Sequence, residues 1–405
     1  MLGASEPVLI AGGGPVGLIS AFALASKDIP VIVFDENTEL QEDPRAATTH
    51  PATLELLAEL GLVEEVIRQG LVCPIFRFWD RPTGSLVAEF DHSLLRNDTD
   101  YPFVVQCEQF KLTKILLNLM KLTTATEIHF SHRVSSVDQN EDGVSILVDG
   151  PDGTIPYHGS YLIGADGGKS TVRSKSSILF EGFTWPERFL VLSTPFDFEI
   201  NRRMCYRNYI SDPEEWCNCF KVSGDGPPGL WRTVYPESPD VPEADLLTDE
   251  YTQKKLQGFF PSNDNYEISH RNLYTVHQRV ASTFRRGRVL IAGDAAHVNN
   301  SIGGMGLNGG IQDAVNLAEK LTKVYRGEAD VHLLDRYNDE RRNFAIEFVQ
   351  TQTIQNKKRL EAQNPEKRNK YLEELRLIAE DSSKARNFML KTSMIEAMRS
   401  IHDKQ

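Results

Sequence analysis

The chain of 405 residues is short of cysteine, of positive charge and of long apolar runs. Its five cysteines, at 73, 107, 205, 217 and 219, are an odd and scattered set. They fit reduced thiols in a cytoplasmic protein better than a disulfide framework. Cys217 and Cys219 lack further Cys or His at ligand spacing, so no metal site is expected. Lys and Arg number 44 against 57 Asp and Glu, a formal net charge of -13 that argues against a nucleic-acid partner. The one early apolar stretch, 8–25, follows no Lys or Arg and is crowded with glycine, so a strand, a glycine turn and an amphipathic helix explain it better than a signal peptide or a membrane span. No other run is long enough to cross a bilayer, and no internal repeat, linker or low-complexity tract appears. What is left is the composition of a globular chain able to build two or three domains.

Within the early stretch, Val8-Leu9-Ile10-Ala11 leads into Gly12-Gly13-Gly14-Pro15-Val16-Gly17 and then a run of Ala, Leu, Ile and Phe. Glycines at 12, 14 and 17 after a buried strand match a dinucleotide-binding turn, where backbone amides at a helix N-terminus hold a pyrophosphate. The pattern predicts a strand at 8–11, a helix at 16–27 and a strand at 31–34. Asp35 closes that second strand, about 20 positions on, where an acid accepts hydrogen bonds from ribose hydroxyls. Glu36, its neighbour, is grouped with it.

Helical spacing over 51–69 is broken at Gly61, and short alternating runs over 75–90 flank the turn Pro82-Thr83-Gly84, suggesting a sheet of another domain. Helical periodicity returns over 110–120, and 127–148 holds two strand-like runs around Asn140-Glu141-Asp142-Gly143. Leu162 and Ile163 then enter Gly164-Ala165-Asp166-Gly167-Gly168, again a buried strand ending in glycine and acid. A second glycine turn, Gly287-Arg288-Val289-Leu290-Ile291-Ala292-Gly293-Asp294-Ala295-Ala296-His297, precedes Gly303, Gly304, Gly306, Gly309 and Gly310. A helix is expected at 310–324, followed by helical sequence to about residue 401.

The expected fold class is α/β: a Rossmann-type domain from 1–74, 98–176 and 275–335, an inserted antiparallel sheet domain from 75–97 and 177–274, and a helical tail over 336–405. The aromatics of 177–274 are available to line an apolar pocket. Residues 351–405 carry 12 Lys and Arg against 8 Asp and Glu, a mildly basic solvated face. Met389, Leu390, Met394, Ile395, Met398 and Ile401 form an apolar stripe that packs on its own domain, caps a site or joins a second subunit in a homodimer.

With three such motifs in this order, the chain resembles the class A flavoprotein monooxygenases, the aromatic hydroxylases of the para-hydroxybenzoate hydroxylase fold. The resemblance spans roughly 7–345. It implies FAD as resident cofactor, with Gly12, Gly14, Pro15, Val16 and Gly17 at the pyrophosphate and Asp35 at the ribose. It implies Arg45 and Gln106 near the flavin, Asp166 and Gly167 in a motif tied to both FAD and NAD(P)H, and Asp294 on the ribityl chain. Residues 303–308, among them Gly304, Gly306, Leu307 and Asn308, would bring amides to the isoalloxazine ring. NAD(P)H would bind transiently as reductant. The family's C4a-hydroperoxyflavin, formed with dioxygen, hydroxylates an electron-rich ring, so the protein must exclude water and position that ring.

Two departures bear on the substrate. Relatives commonly carry two prolines where this chain has Val298-Asn299-Asn300-Ser301-Ile302, so Asn300 or Ser301 offers hydrogen bonds there instead. Some phenol-hydroxylating relatives place Asp or His two residues beyond the flavin-contacting arginine, where this chain has Ala47. His50, Tyr206, Tyr209 and Tyr235 are the replacement candidates for a base, and Arg207, Arg232 or Arg279 for binding a substrate carboxylate. The expected function is hydroxylation of a small phenolic or N-heteroaromatic molecule by an FAD-dependent, NAD(P)H-consuming monooxygenase. The rivals are a halogenase or reductase on the same fold, or a flavin-binding protein without turnover. Trp231-Arg232-Thr233-Val234-Tyr235-Pro236 has only one tryptophan, against the paired tryptophans usual in halogenases.

Overall fold

The computed structural model describes residues 6–43, 45–121, 123 and 125–402. The ends of the expected ranges 1–74 and 336–405, and single positions within 1–74 and 98–176, lie outside these described residues.

Val8–Ala11 is buried along its whole length because it lies inside a parallel sheet, covered on both faces. The sheet order is Arg285–Arg286, Val289–Ile291, Tyr161–Gly164, Val8–Ala11, Val31–Phe34 and Thr126–His129, with every pair parallel except the short hairpin at the first edge. Proline at the first helical position and an Ala- and Leu-rich run start the helix Pro15–Ala25 directly after the glycines. A three-stranded antiparallel sheet, Arg133–Gln139, Val144–Gly150 and Gly153–Gly159, packs beside this layer. The 127–148 region therefore holds three strands rather than two, because Thr126–His129 leaves the antiparallel group to pair with Val31–Phe34.

The second layer is an eight-stranded sheet in the order His297–Val298, His270–Ala281, Phe180–Thr194, Leu230–Glu237, Cys217–Val222, Arg207–Ser211, Ile75–Asp80 and Ser85–Asp91. One of its pairs is parallel: Arg207–Ser211 against Ile75–Asp80, with Tyr209 opposite Phe78. Its longest pairing, Phe180–Thr194 with His270–Ala281, runs through the boundary expected between 274 and 275. Side-chain alternation gives the sheet two faces. Phe189, Val191 and Tyr209 point into one apolar core, while Leu190, Leu192 and Ile210 point into another.

The tail decides which face is closed. Ser382–Thr392 and Ile395–His402 lie on the core that holds Phe76, Phe90 and Phe189, and Phe388 stacks on Phe90 at 4.7 Å. Met389, Met394, Ile395 and Ile401 are buried there within their own chain. Arg386 and Arg399 of these helices pair with Asp98, and Arg368 of the preceding helix, Pro365–Glu380, pairs with Asp80. No helix among the described residues is long and apolar enough to cross a membrane.

Candidate functional site

The two distant glycine turns touch. Val16, in the first turn's helix, packs so tightly on Gly293 and Gly310 that a Cβ on either would come within 2.8 or 2.6 Å of Val16 Cγ2. Gly17 approaches its own strand closely enough that a Cβ would meet Gly12 O at 1.9 Å. Gly12 has φ +104°, and a Cβ there would strike Ala165 O at 2.3 Å, so the Asp166 motif abuts the first turn. Gly14 differs: a Cβ built on it meets nothing within 4 Å. It faces open space at the start of a helix whose N-terminus receives no side-chain hydrogen bond, the cradle a pyrophosphate needs.

Asp35 stands at the rim of that cradle, where Oδ2 accepts from Gly13 N at 2.6 Å and Oδ1 from Asn37 N at 2.9 Å. Glu36 is exposed beside it. Asp294 is exposed to solvent at the second turn while protein closes around its carboxyl. Burial raises its pKa, with His297 and Arg45 opposing. Among the described residues no protein donor holds it. Arg45 is exposed, its carbonyl held by Arg232 Nη1 at 2.9 Å. Gln106 is fully buried; its Oε1 accepts from Thr48 Oγ1 at 3.0 Å, and its Nε2 has no partner. Buried orphan donors are rare, and this one lies beside Thr48, against which Gly304 is packed. An open glycine cradle, an unclaimed carboxylate and an unclaimed amide N–H fit a bound dinucleotide.

Other expected residues prove to be braces. Asp166 spends both oxygens on Ser170 Oγ and on Val172 N at 3.0 Å, at the start of Thr171–Lys175. Burial still pushes its pKa up, against those bonds. Gly167, at φ +79°, stays open. Asn308 ties Thr48 and His50 to the glycine cluster through Thr48 O at 2.8 Å, Gly304 O at 2.6 Å and His50 N at 2.8 Å. The long helix begins at Met305, five residues earlier than expected, so Gly306, Leu307 and Asn308 are its first turn. Gly309 and Gly310 sit inside it because His297 and Val16 leave no room for a Cβ.

Below the second turn lies a buried network that sequence reasoning missed. Asp313 accepts from Gly293 N at 3.0 Å, from Arg341 Nε at 2.7 Å and pairs with His297 Nε2 at 2.8 Å. Burial works to raise its pKa, but Arg341 and His297 outweigh that and hold it below the usual carboxylate range. Arg341 stands in the run Asp339-Glu340-Arg341-Arg342, which reads as a solvated helix face, so no local signal marked it.

The stretch lacking prolines is stiffened by side chains. Asn300 donates to Gln278 Oε1 at 3.2 Å and accepts from Ile302 N at 3.1 Å, while Gln278 Nε2 donates to Thr353 at 3.0 Å. Asn300 is thus fully buried and fully used, whereas Ser301 bonds Tyr274 at 2.7 Å. Next to this stretch a narrow cavity is lined by Phe76, Phe78, Arg207, Tyr209, Ile302, Gly303 and Met305, and closed by Asn356, Leu360, Phe388 and Thr392 of the tail.

His50 stands at its edge, bonded through Nε2 to Gly303 O at 2.7 Å. Burial, reinforced by Arg207, holds its pKa well below 6.5, so it is neutral and Nε2 carries the proton. Tyr235 lies elsewhere, in the opposite core beside Phe259, and burial drives its phenol well above 10, the wrong direction for a base. Tyr206 sits with Lys221 and Trp231 on that same side of the sheet. Arg232 braces Arg45, and Arg279 bonds Phe180 O and Thr184 of its own sheet, so of the three arginines Arg207 lines the cavity.

The family described as FAD binding domain matches residues 5–352. The chain is 33% identical over 402 residues to a para-nitrophenol 4-monooxygenase of a Pseudomonas species, covering 98% of each. It is 31% identical over 384 residues to 6-hydroxy-3-succinoylpyridine 3-monooxygenase of Pseudomonas putida, covering 94% of this chain and 96% of that one. The crystal structure of a p-nitrophenol 4-monooxygenase of Pseudomonas putida superposes with a TM-score of 0.91 at 32% identity, over 96% of this chain and 98% of that chain.

Proposed function

We propose the function from one premise: this chain belongs to the FAD binding domain family. It is an FAD-dependent monooxygenase that uses NAD(P)H and dioxygen to hydroxylate a small phenolic or heteroaromatic ring. The observation that carries this reading is the meeting of the two glycine turns at Val16 beside an enclosed apolar cavity. Gly12, Gly14 and Gly17 would hold the pyrophosphate of FAD, Asp35 and Glu36 the ribose, and Asp294 the ribityl chain. Arg45, Gln106 and the 304–308 turn would contact the ring system, with Val16 and Pro15 setting the start of the helix. Bound FAD supplies the redox chemistry and the activation of oxygen.

The protein's share is positioning and the exclusion of water. Gly303 lies between flavin turn and cavity, and its carbonyl is fixed by both His50 Nε2 at 2.7 Å and Arg207 Nη2 at 3.1 Å. Tail residues Leu360 and Phe388 cover the cavity with apolar surface, which keeps solvent from a reactive oxygen. Five buried, unpaired thiols suit the reducing cytoplasm in which NAD(P)H is regenerated.

Purified protein is expected to carry a flavin band near about 450 nm and to oxidise NAD(P)H faster when a phenol is added. Asp294→Ala is expected to lose most of its flavin during purification. Unchanged flavin content in that variant removes Asp294 from the site. Flavin bound with no phenol-stimulated oxidation makes the chain a flavoprotein without turnover.

A further inference from the structure

We propose that hydrogen peroxide oxidises Met398 ahead of the other described methionines, and that Arg341 holds the sulfoxide oxygen so formed. This goes beyond the monooxygenase reading and does not depend on it, because peroxide from any source serves. Thioether sulfur reacts where it can be reached. Of the seven methionines, six lie among the described residues. Met120, Met204, Met305, Met389 and Met394 are buried, at 2%, 8%, 1%, 0% and 0% exposure, whereas Met398 is half-buried. It stands on the last helix, Ile395–His402, packed against the core that holds Phe76 and Phe90.

Met398 is set apart as well by what its sulfur touches. Arg341 is fully buried; Nε donates to Asp313 Oδ1 at 2.7 Å, and Nη2 to Gly309 O at 3.2 Å and Gln312 Oε1 at 3.4 Å. The acceptor that Nη1 meets is Met398 Sδ, at 3.8 Å. A thioether is a weak acceptor, so a buried cation turns a loosely used N–H toward this side chain. Four residues earlier, Met394 Sδ lies 3.8 Å from Gln312 Nε2, which also donates to Thr53 Oγ1 at 3.1 Å. The end of the chain therefore meets the polar network beneath the second glycine turn through two sulfurs.

The step is an oxygen transfer. A lone pair of Sδ attacks one oxygen of the peroxide, the S–O bond forms, the O–O bond breaks, and the other oxygen leaves as water with both protons. Sulfur is oxidised by two electrons and the peroxide is reduced by two. Rotation about Cγ–Sδ then turns the new oxygen toward Nη1. With sulfur and nitrogen 3.8 Å apart, a bent S–O···H–N bond of about 2.9 Å closes without moving the helix. A sulfoxide set in an apolar bed ordinarily loosens a core. Here it replaces a weak acceptor by a strong one on a charged donor, while Nε stays on Asp313. The brace on Gly293 N is kept.

The test treats the protein as purified with a small excess of hydrogen peroxide and locates the added oxygen by peptide mass spectrometry. Met398 is expected to gain oxygen about tenfold faster than any of the other five. Protein carrying that one oxygen is expected to unfold in urea at an unchanged or higher midpoint. Met398→Leu is expected to abolish the fast oxidation. Met398→Gln, which offers Arg341 a carbonyl oxygen without any treatment, is expected to unfold at a higher urea concentration than Met398→Leu. Oxygen arriving first on a buried methionine, on none of the six, or still arriving fast in Met398→Leu overturns the proposal. A lower midpoint in the oxidised protein, or a Met398→Gln protein less stable than Met398→Leu, overturns it equally, since Arg341 then fails to hold the oxygen.

Discussion

The two glycine turns meet at Val16 but are held in opposite ways. The first is held by what is missing: Gly12 and Gly17 let strand, helix and the Asp166 loop approach to distances that any side chain would forbid. The second is held by what is added, a fully buried Asp313 clasped by Arg341 and His297 and bonded to Gly293 N. The first is short-range, its parts lying within residues 8–35 apart from the Ala165 contact. The second draws on helices Met305–Tyr325 and Leu333–Phe344. Tight backbone packing is therefore a local property of a glycine spacing, whereas a buried ion pair is a property of the finished tertiary structure.

The largest expected effect tests the second turn. Asp313→Ala leaves Arg341 charged, buried and unpaired, and is expected to cost about 3–5 kcal/mol in urea unfolding together with loss of flavin. A loss below about 1 kcal/mol would mean that the turn stands without its ionic brace.

Acid should strike the cavity side next. Burial keeps His92 neutral down to about 4, Arg207 adding to that effect and the Pro74 carbonyl opposing it. The unfolded chain takes up this proton near about 6.5. Between those values the unfolded state binds more protons, so the contribution is complete above about pH 6.5 and is lost as pH falls toward about 4. The loss is on the order of 3 kcal/mol, and His92→Gln is expected to flatten that part of the stability profile. An identical profile in the variant would assign the acid sensitivity to other groups.

The smallest expected effect on stability belongs to the first turn. Gly12→Ala forces a Cβ against Ala165 O at a φ of +104° and is expected to cost about 2 kcal/mol while abolishing flavin retention. Full flavin content in this variant would erase the contrast between the turns.

Much of the candidate site was legible as a pattern in the sequence. Gly12, Gly14, Gly17 and Asp35 announce themselves because a phosphate turn needs glycines at short fixed spacing after an apolar strand. Asp313, Arg341 and Gln278 did not, since a buried polar residue in a helix or strand has the same letter as a solvated one. Asn300 was expected to face a substrate and instead braces its own loop, because its carboxamide finds Gln278 from a strand more than twenty residues away.

The sequence by itself determined the two glycine turns of the candidate cofactor site, since each is a short-range pattern whose chemistry depends on backbone shape. Only the tertiary structure decided the cavity. Arg207 and Tyr209 line one cavity with Phe76, Gly303 and Phe388, each more than ninety residues away along the chain, so the lack of a counter-ion at Arg207 among the described residues becomes visible only once those segments are packed. The physical reason is that charge balance is a sum over neighbours in space, and neighbours along the chain do not report it.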